Sequence, residues 1–100
     1  MQDRFLLKAY VPSENKMYDV AIKYVPKEEN TLIQCTGLKD KEGSLVWEYD
    51  RLQDEEGTIF IVLWSKSDAK FYLKNEETDK VWFFTGIIKD CKKLGSSLEK

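Results

Sequence analysis

The segment Thr58-Ile59-Phe60-Ile61-Val62-Leu63-Trp64 is the strongest indicator of fold class in this sequence. It is almost continuously apolar and rich in β-branched side chains, which is typical of a central strand buried on both faces. Two further strands are expected on its C-terminal side, at residues 69–74 and 80–85, because polar turns at 65–68 and 75–79 separate them. The second half of the chain is therefore predicted to be an antiparallel meander.

Short strands are also expected on the N-terminal side of this stretch, at residues 4–11, 16–25, 31–36 and 45–49. The alternation is clearest at 16–25, where every second side chain is large and apolar. The segment from Asp40 to Gly43 has the Asp-first, Gly-last chemistry of a type I turn. Short strands at such even spacing predict a mainly β protein that forms a small antiparallel barrel.

The C-terminal end of the chain is less regular. Gly86 separates the predicted meander from a last apolar stretch at residues 87–91, and residues 87–94 could instead close with one helical turn. No helix of ten or more residues is expected. The tail from Gly95 onward is expected to fray, as chain ends do when nothing holds them.

Length and composition predict a single soluble domain. The chain has 100 residues, of which 42% are hydrophobic and 34% are charged, which is enough for one core. The formal net charge of −2 does not fit a duplex-DNA binder with a strongly basic face. The longest apolar run, Ile59 to Trp64, is too short to span a bilayer, and the first residues lack the build of a signal peptide. A cytoplasmic protein is expected.

The absence of histidine removes the commonest catalytic chemistries: Ser-His-Asp and Cys-His nucleophiles, His-ligated zinc and the usual general base at neutral pH. Cys35 and Cys91 form no C-x-x-C motif, so two buried reduced thiols are favoured over a disulfide or a reactive thiol. Glu48 and Asp50 have a spacing that suits a divalent cation or glycosidic acid–base chemistry, but no second feature supports either. We therefore expect no enzyme activity, no cofactor and no metal site.

The first half of the chain contains four short motifs: Leu7-Lys8-Ala9-Tyr10, Met17-Tyr18-Asp19-Val20, Gln34-Cys35-Thr36-Gly37-Leu38-Lys39-Asp40-Lys41-Glu42-Gly43 and Val46-Trp47-Glu48-Tyr49-Asp50-Arg51. In this order and spacing they resemble the YopX family, small proteins carried by bacteriophages and prophages. The third motif matches the family's Gln-x-Thr-Gly-Leu-Lys-Asp-Lys-x-Gly element. The fourth departs from it at Tyr49, which replaces the glycine of a Glu-Gly-Asp turn, so that turn is expected to be reshaped.

The resemblance is specific over residues 7–50 and implies a fold. It implies one domain, 1–100, in which an N-terminal β segment (1–50) packs on a small β-barrel of the Src-homology-3 type (51–95). It also implies a phage or prophage protein that works in the cytoplasm of a host cell. The family carries no established activity, so the resemblance supports the fold more than the function.

A cluster of acidic residues in the middle of the chain is the most unusual local feature. Residues 26–56 hold nine acidic residues against four basic ones, a local net charge of −5. Clustered carboxylates repel nucleic acid and attract Arg/Lys-rich protein surfaces. The candidate partner-binding residues are Glu48, Asp50, Asp54, Glu55 and Glu56. The alternative is that residues 54–57 form only a solvated turn.

Lysines and aromatic residues interleave in the second half of the chain. A small β-barrel can bind single-stranded nucleic acid by stacking bases on aromatic rings beside a cationic track. The candidate residues for such a site are Lys70, Tyr72, Lys74, Lys80 and Trp82, with Tyr72 and Trp82 expected to be neighbours across a strand pair. The alternative is that the aromatics fill the barrel and the lysines coat it.

We expect from these features a non-enzymatic phage accessory protein that binds a protein target. Its specific form would be a host-defence inhibitor, comparable to anti-CRISPR proteins, whose acidic face blocks a nucleic-acid-binding surface. A single-stranded nucleic-acid binder is the alternative. Phe5, Leu7 and Trp47 are expected to cover a sheet edge, either within one chain or by pairing two copies as a homodimer.

Overall fold

The computed structural model describes residues 7–20, 31–83 and 85–99. Nine strands and one 3-10 helix succeed one another along these ranges. They are β1 Leu7–Val11, β2 Lys16–Val20, β3 Thr31–Lys39, β4 Leu45–Trp47, β5 Asp50–Gln53, β6 Ile59–Ser65, β7 Lys70–Asn75, β8 Val81–Trp82, the 3-10 helix Gly86–Asp90 and β9 Lys92–Ser96. Parts of three predicted strands, at residues 4–6, 21–25 and 84, lie outside the described residues, and so does Phe5, which was expected to cover a sheet edge. The described ranges contain no helix with the length and hydropathy of a membrane span.

The C-terminal sheet has five antiparallel strands in the order β8-β7-β6-β5-β9 and curls into a half-barrel. Strand β9 returns beside β5, the first strand of the meander, after the 3-10 helix that follows β8. This strand order and this position of the 3-10 helix are those of a Src-homology-3-type barrel. A register shift between Arg51 and Leu52, opposite the positive-φ Gly95, bends the β5–β9 pair. The predicted mainly β, barrel-like fold is confirmed.

The N-terminal extension is a separate four-stranded sheet in the order β2-β1-β3-β4. Strands β1 and β2 form a hairpin in which Val11 lies opposite Lys16, and the Tyr10 hydroxyl donates to the Asn15 side chain over 2.7 Å. Strand β3 runs antiparallel to β1 and then to β4. The two sheets therefore divide the described chain between Trp47 and Asp50.

Strand β6 lies at the centre of the five-stranded sheet, as predicted, but only one of its faces is fully buried. Phe60 and Val62 point into the core at 6% and 0% exposure, whereas the alternating side chains of Ile61 and Leu63 are half-buried. The prediction that both faces are buried is wrong, since Ile61 and Leu63 remain partly exposed. The apolar outer side chains instead pack against their cross-strand neighbours.

Within the part of the chain that the structure describes, two hydrophobic clusters hold the fold together. The larger one fills the half-barrel with Val46, Leu52, Phe60, Val62, Leu73, Ile88 and Cys91. The smaller one, Tyr10, Ile33 and Trp47, lies in the N-terminal sheet. Successive residues of β4, Val46 and Trp47, enter different clusters, so this short strand joins the two cores. Trp47 is thus an internal residue, and the Lys8 Nζ lies 4.3 Å from its ring centroid.

Two turns with nearly the same sequence, Asp40-Lys-Glu-Gly-Ser44 and Asp54-Glu-Glu-Gly-Thr58, have the same hydrogen bonds. In each, one side-chain oxygen of the aspartate accepts two backbone N–H groups, at 2.9 and 2.8 Å in the first turn and 2.9 Å for both in the second. The fourth residue of each turn is a glycine with φ near +85°, Gly43 at +84° and Gly57 at +87°, a conformation that a residue with a Cβ rarely adopts. The type I turn predicted at 40–43 thus recurs fourteen residues later in the chain.

The two sheets are joined by a polar cluster around the partly exposed Lys93, whose acidic partners are buried. The second side-chain oxygen of Asp40 accepts the Lys93 backbone N–H at 2.9 Å, and the Lys93 Nζ donates to the Leu45 carbonyl at 2.9 Å and lies 3.3 Å from Asp50. Nearby, the Lys41 N–H donates to the Cys91 carbonyl at 2.9 Å. Buried charges of this kind are tolerated only when they are paired and hydrogen-bonded. We call Asp40, Asp50 and Lys93 the clasp.

The C-terminal segment differs most from its prediction. Residues 87–90 belong to the 3-10 helix rather than to a strand, and Cys91 follows it in an extended conformation, so the alternative of one helical turn is the correct one there. The tail does not fray at Gly95, because β9 pairs with β5, the Ser97 N–H donates to the Tyr49 carbonyl at 2.7 Å and Leu98 packs on the N-terminal cluster. Both cysteines are free, Cys91 buried and Cys35 half-buried.

Candidate functional site

Asp50 does not lie on an acidic surface. Its side chain is 3% exposed, accepts the Trp47 N–H at 2.8 Å and pairs with Lys93 in the clasp. Desolvation in this position raises the pKa of the Asp50 carboxyl, although the Trp47 N–H and the Lys93 charge oppose the shift. The inclusion of Asp50 in the partner-binding face is wrong, since its carboxylate binds within the chain.

Glu48 is half-buried beside Asp50 in the turn between β4 and β5. Its carboxylate accepts a long contact from the Gln34 N–H at 3.4 Å, and burial raises the pKa of the Glu48 carboxyl. Glu48 and Asp50 both line a small cavity of about 90 Å³, which also receives Lys93. Because the turn intervenes, the two carboxylates do not lie along one strand as their spacing suggested. Across the described ranges, no group of three or more Cys, Asp or Glu side chains is placed to hold a metal ion.

The remaining predicted acidic residues lie in the β5–β6 turn. Asp54 is half-buried and shapes that turn through its two hydrogen bonds, whereas Glu55 and Glu56 are exposed and make no hydrogen bond or ion pair through their side chains within the described chain. Asp54 therefore positions the two glutamates, and the glutamates are the groups that a partner can reach.

The structure adds acidic residues from a second turn that sequence analysis missed. Glu76 and Glu77 lie in the β7–β8 turn, and the Glu76 N–H donates to the Ile59 carbonyl at 2.9 Å, which fixes this turn against the start of β6. Glu56, Glu76 and Glu77 line one surface depression of about 320 Å³. We call Glu55, Glu56, Glu76, Glu77 and the nearby Asp90 the acidic end. In a meander, the first and third turns lie at the same edge of the sheet, and this rule could have found the pair.

A second depression opens on the other side of the β5–β6 turn. It also measures about 320 Å³ and is lined by Asp54, Glu55, Glu56 and Asp90, with Ile87 and the buried Cys91 as its apolar part. Burial, followed by the negative charges of Asp54 and Asp90, raises the pKa of the Cys91 thiol. The thiol is therefore held in its neutral form.

One of the acidic side chains is partly neutralised. Arg51 makes a two-point ion pair with Glu76, at 2.9 Å from Nε and 3.1 Å from the second guanidinium nitrogen. The ion pairs found among the described residues involve none of Glu55, Glu56, Glu77 and Asp90. The acidic end therefore presents net negative charge to solvent.

The predicted contact between Tyr72 and Trp82 is wrong. Trp82 lies opposite Leu73 in the β7–β8 pair, so it projects toward the core side, where its ring meets Phe60 edge-on at 5.4 Å. Tyr72 projects from the opposite face and contacts Phe83, with ring centroids 5.4 Å apart and an interplanar angle of 38°. The register is shifted by one residue relative to the prediction, which exchanges the faces of neighbouring side chains.

The outer face of β6 and β7 nevertheless brings lysines and aromatic rings together. Lys70, Tyr72 and Lys74 share this face, as predicted, and Leu63 lies opposite Tyr72. Lys70 Nζ lies 4.7 Å from the Phe83 ring centroid. We call Leu63, Lys70, Tyr72, Lys74 and Phe83 the aromatic–lysine face. Lys80 is exposed just before β8 and lies outside this set.

The chain was compared with curated proteins and with protein-family models. No curated protein matches it at a significant level. A family model described as YopX protein matches residues 7–99, which is most of the chain and extends the resemblance of the first half through both sheets. The chain therefore belongs to the YopX family.

Proposed function

We propose that this YopX-family protein acts without catalysis, by binding a basic surface of a protein partner through its acidic end. Family membership suggests a phage- or prophage-type protein. The observation that supports the proposal is that two separate turns place Glu56, Glu76 and Glu77 around one depression, with Glu55 and Asp90 beside it. The proposed partner is a host protein in the cytoplasm.

The acidic end has the physical properties of a docking surface. Its four glutamates are carried on turns fixed by backbone and Asx hydrogen bonds, so little backbone conformational entropy is lost when a partner binds. Negative charge of this kind steers basic partners and raises association rates, with strong dependence on ionic strength. Nucleic acid is repelled by the same charges, so the partner at this end is a protein.

In its specific form, the partner is a host-defence protein that binds nucleic acid. A groove that binds a phosphate backbone is lined by lysine and arginine, and carboxylates spaced along a rigid edge compete for the same residues. Binding there would inhibit the host protein without any chemical step. The same purified partner should therefore lose its nucleic-acid binding when this protein is added.

The test uses two variants with the same change in net charge. In the first, Glu55, Glu56 and Glu77 are each replaced by lysine; these side chains are exposed and form no ion pair in the described chain. In the second, the control, the exposed Asp19, Glu42 and Glu99 are replaced by lysine. Asp50 and Asp54 are left intact because they hold the fold together. Wild type and both variants are used as bait in a host lysate, with and without nuclease.

The proposal expects a protein that is retained by wild type and by the control variant, lost by the acidic-end variant and unaffected by nuclease. Capture that is equal for all three baits would contradict the acidic end as the binding surface. Capture that disappears with nuclease would show that the contact is made through nucleic acid, which would contradict the proposal as well.

A further inference from the structure

The aromatic–lysine face carries two rings on a surface where packing does not require them. Phe83 is 44% exposed, and its ring pairs with Tyr72 rather than with the core. The core side of β7 is already filled by Leu73, which is fully buried, and by Phe71, which packs on Trp64 at 4.8 Å. The Tyr72–Phe83 pair therefore leaves ring surface open to solvent.

Positive charge accompanies these rings. Lys70 Nζ lies over the Phe83 ring, and Lys66 is exposed in the turn that leads into β7. The ion pairs recorded among the described residues use neither Lys66 nor Lys70. Lys74 pairs with Asp79 at 3.3 Å, but the side chain of Asp79 is 75% exposed, and a pair this solvated is weak. A phosphate group could replace it.

We propose that the aromatic–lysine face binds single-stranded nucleic acid, with bases stacked on Phe83 and Tyr72 and phosphates beside Lys66 and Lys70. A single strand supplies a π-face and a negative charge in each nucleotide, at a spacing that alternating rings and lysines on a strand can follow. A duplex hides its base faces. An acidic peptide would match the lysines but would leave the open ring surface unused.

The residues that this proposal tests, Lys70 and Phe83, are separate from the acidic end. Strand β7 runs from Lys70 to Asn75, so Lys70 and the turn that carries Glu76 and Glu77 lie at opposite ends of the strand. The base-stacking pair is Tyr72 and Phe83, in contrast to the pair of Tyr72 and Trp82 that the sequence predicted. Either proposal can therefore fail without the other.

Fluorescence anisotropy with a labelled oligothymidylate of about 12 nucleotides, at low salt, tests the proposal, because site sizes of small β-barrels fall in this range. Phe83→Leu removes the ring but keeps an apolar side chain, and Lys70→Gln removes the charge from an exposed side chain. Matched controls are Leu94→Ala, at another exposed apolar side chain, and Lys89→Gln, at another exposed lysine. A duplex of the same length and a lysine-binding acidic peptide complete the series.

The proposal expects the single strand to bind better than the duplex. Phe83→Leu and Lys70→Gln should each weaken binding of the single strand by about fivefold or more, since the first removes a stacking ring and the second a phosphate contact. The controls should bind as wild type does. No anisotropy change at low salt would overturn the proposal. It would also be overturned by binding that survives both substitutions, or by preference for the acidic peptide.

Discussion

Replacing Asp40 by asparagine should destabilise the protein far more than the same change in the twin turn at Asp54. Both aspartates use one oxygen to accept two N–H groups of their own turn. Only Asp40 uses its second oxygen across the molecule, for the Lys93 N–H of β9 at 2.9 Å, and Asp40 is only 5% exposed. Asparagine keeps one acceptor oxygen but presents an NH2 group to that N–H.

The size of the effect follows from the number of bonds lost. Asp40→Asn removes one hydrogen bond to a charged acceptor and leaves the partly buried N–H of Lys93 facing another donor, which costs about 2–3 kcal/mol. Asp54→Asn weakens two bonds without orphaning a donor and should cost below about 1 kcal/mol. With a urea m-value of about 1–2 kcal/mol/M, the Asp40 variant should unfold at roughly 1–2 M less urea than the Asp54 variant.

Urea denaturation followed by tryptophan fluorescence measures both variants directly. Equal midpoints for the two variants would refute the clasp as a stabilising contact between the sheets. Acid adds a second check: hydrogen bonds and the Lys93 charge outweigh desolvation and lower the pKa of Asp40. Its stabilisation is therefore present above the unfolded value near 3.8 and is lost as the pH falls through the folded pKa. As the pH falls below about 4, the Asp40→Asn variant should therefore lose less stability than wild type does.

Three further predictions concern single positions. Tyr49 has a φ of +72°, so the Tyr49→Gly variant should be more stable than the Tyr49→Ala variant by about 1 kcal/mol. The opposite order is expected for the same two substitutions at Tyr72, which lies in a strand. Urea midpoints that favour alanine at both positions would contradict this prediction. Lys93→Met should destabilise the protein by roughly 2–3 kcal/mol at neutral pH. This loss is smaller than that expected for breaking a fully buried ion pair, because the Lys93 side chain is partly exposed. That loss should shrink on acidification, as Asp50, whose pKa burial raises, becomes protonated; a pH-independent loss would show that Lys93 acts by packing alone. The buried Cys91 thiol should react with a disulfide reagent only when the protein unfolds. Rapid reaction of both the Cys35 and the Cys91 thiols in the native protein would contradict the burial of Cys91.

The sequence predicted local features well and nonlocal ones poorly. The central strand at Ile59–Ser65 and the turn at 40–43 are encoded by β-branched runs and Asp/Gly chemistry, which act over a few residues. Strand β9, with its two lysines and a glycine, has no such signal, and its pairing with β5 depends on contacts some forty residues away. Its position could not be obtained from local pattern.

The candidate surfaces show the same limit. Asp50 looks like any other acidic residue in the chain, and only the Lys93 side chain and the Trp47 N–H reveal that it is buried. The exchange of Trp82 for Phe83 as the partner of Tyr72 follows from the length of the β7–β8 turn, which sets the register. By contrast, the proximity of Glu56 and Glu77 could have been predicted from the expected topology, because alternate turns of a meander lie at the same edge of the sheet.

The most direct test of the acidic end is amide hydrogen–deuterium exchange of this protein, alone and bound to the partner that it captures. Binding through the acidic end should slow exchange at residues 54–58 and 75–79, the two turns that carry its glutamates, and leave the β1–β2 hairpin at 7–20 unchanged. Protection confined to that hairpin, with both turns exchanging as in the free protein, would contradict it.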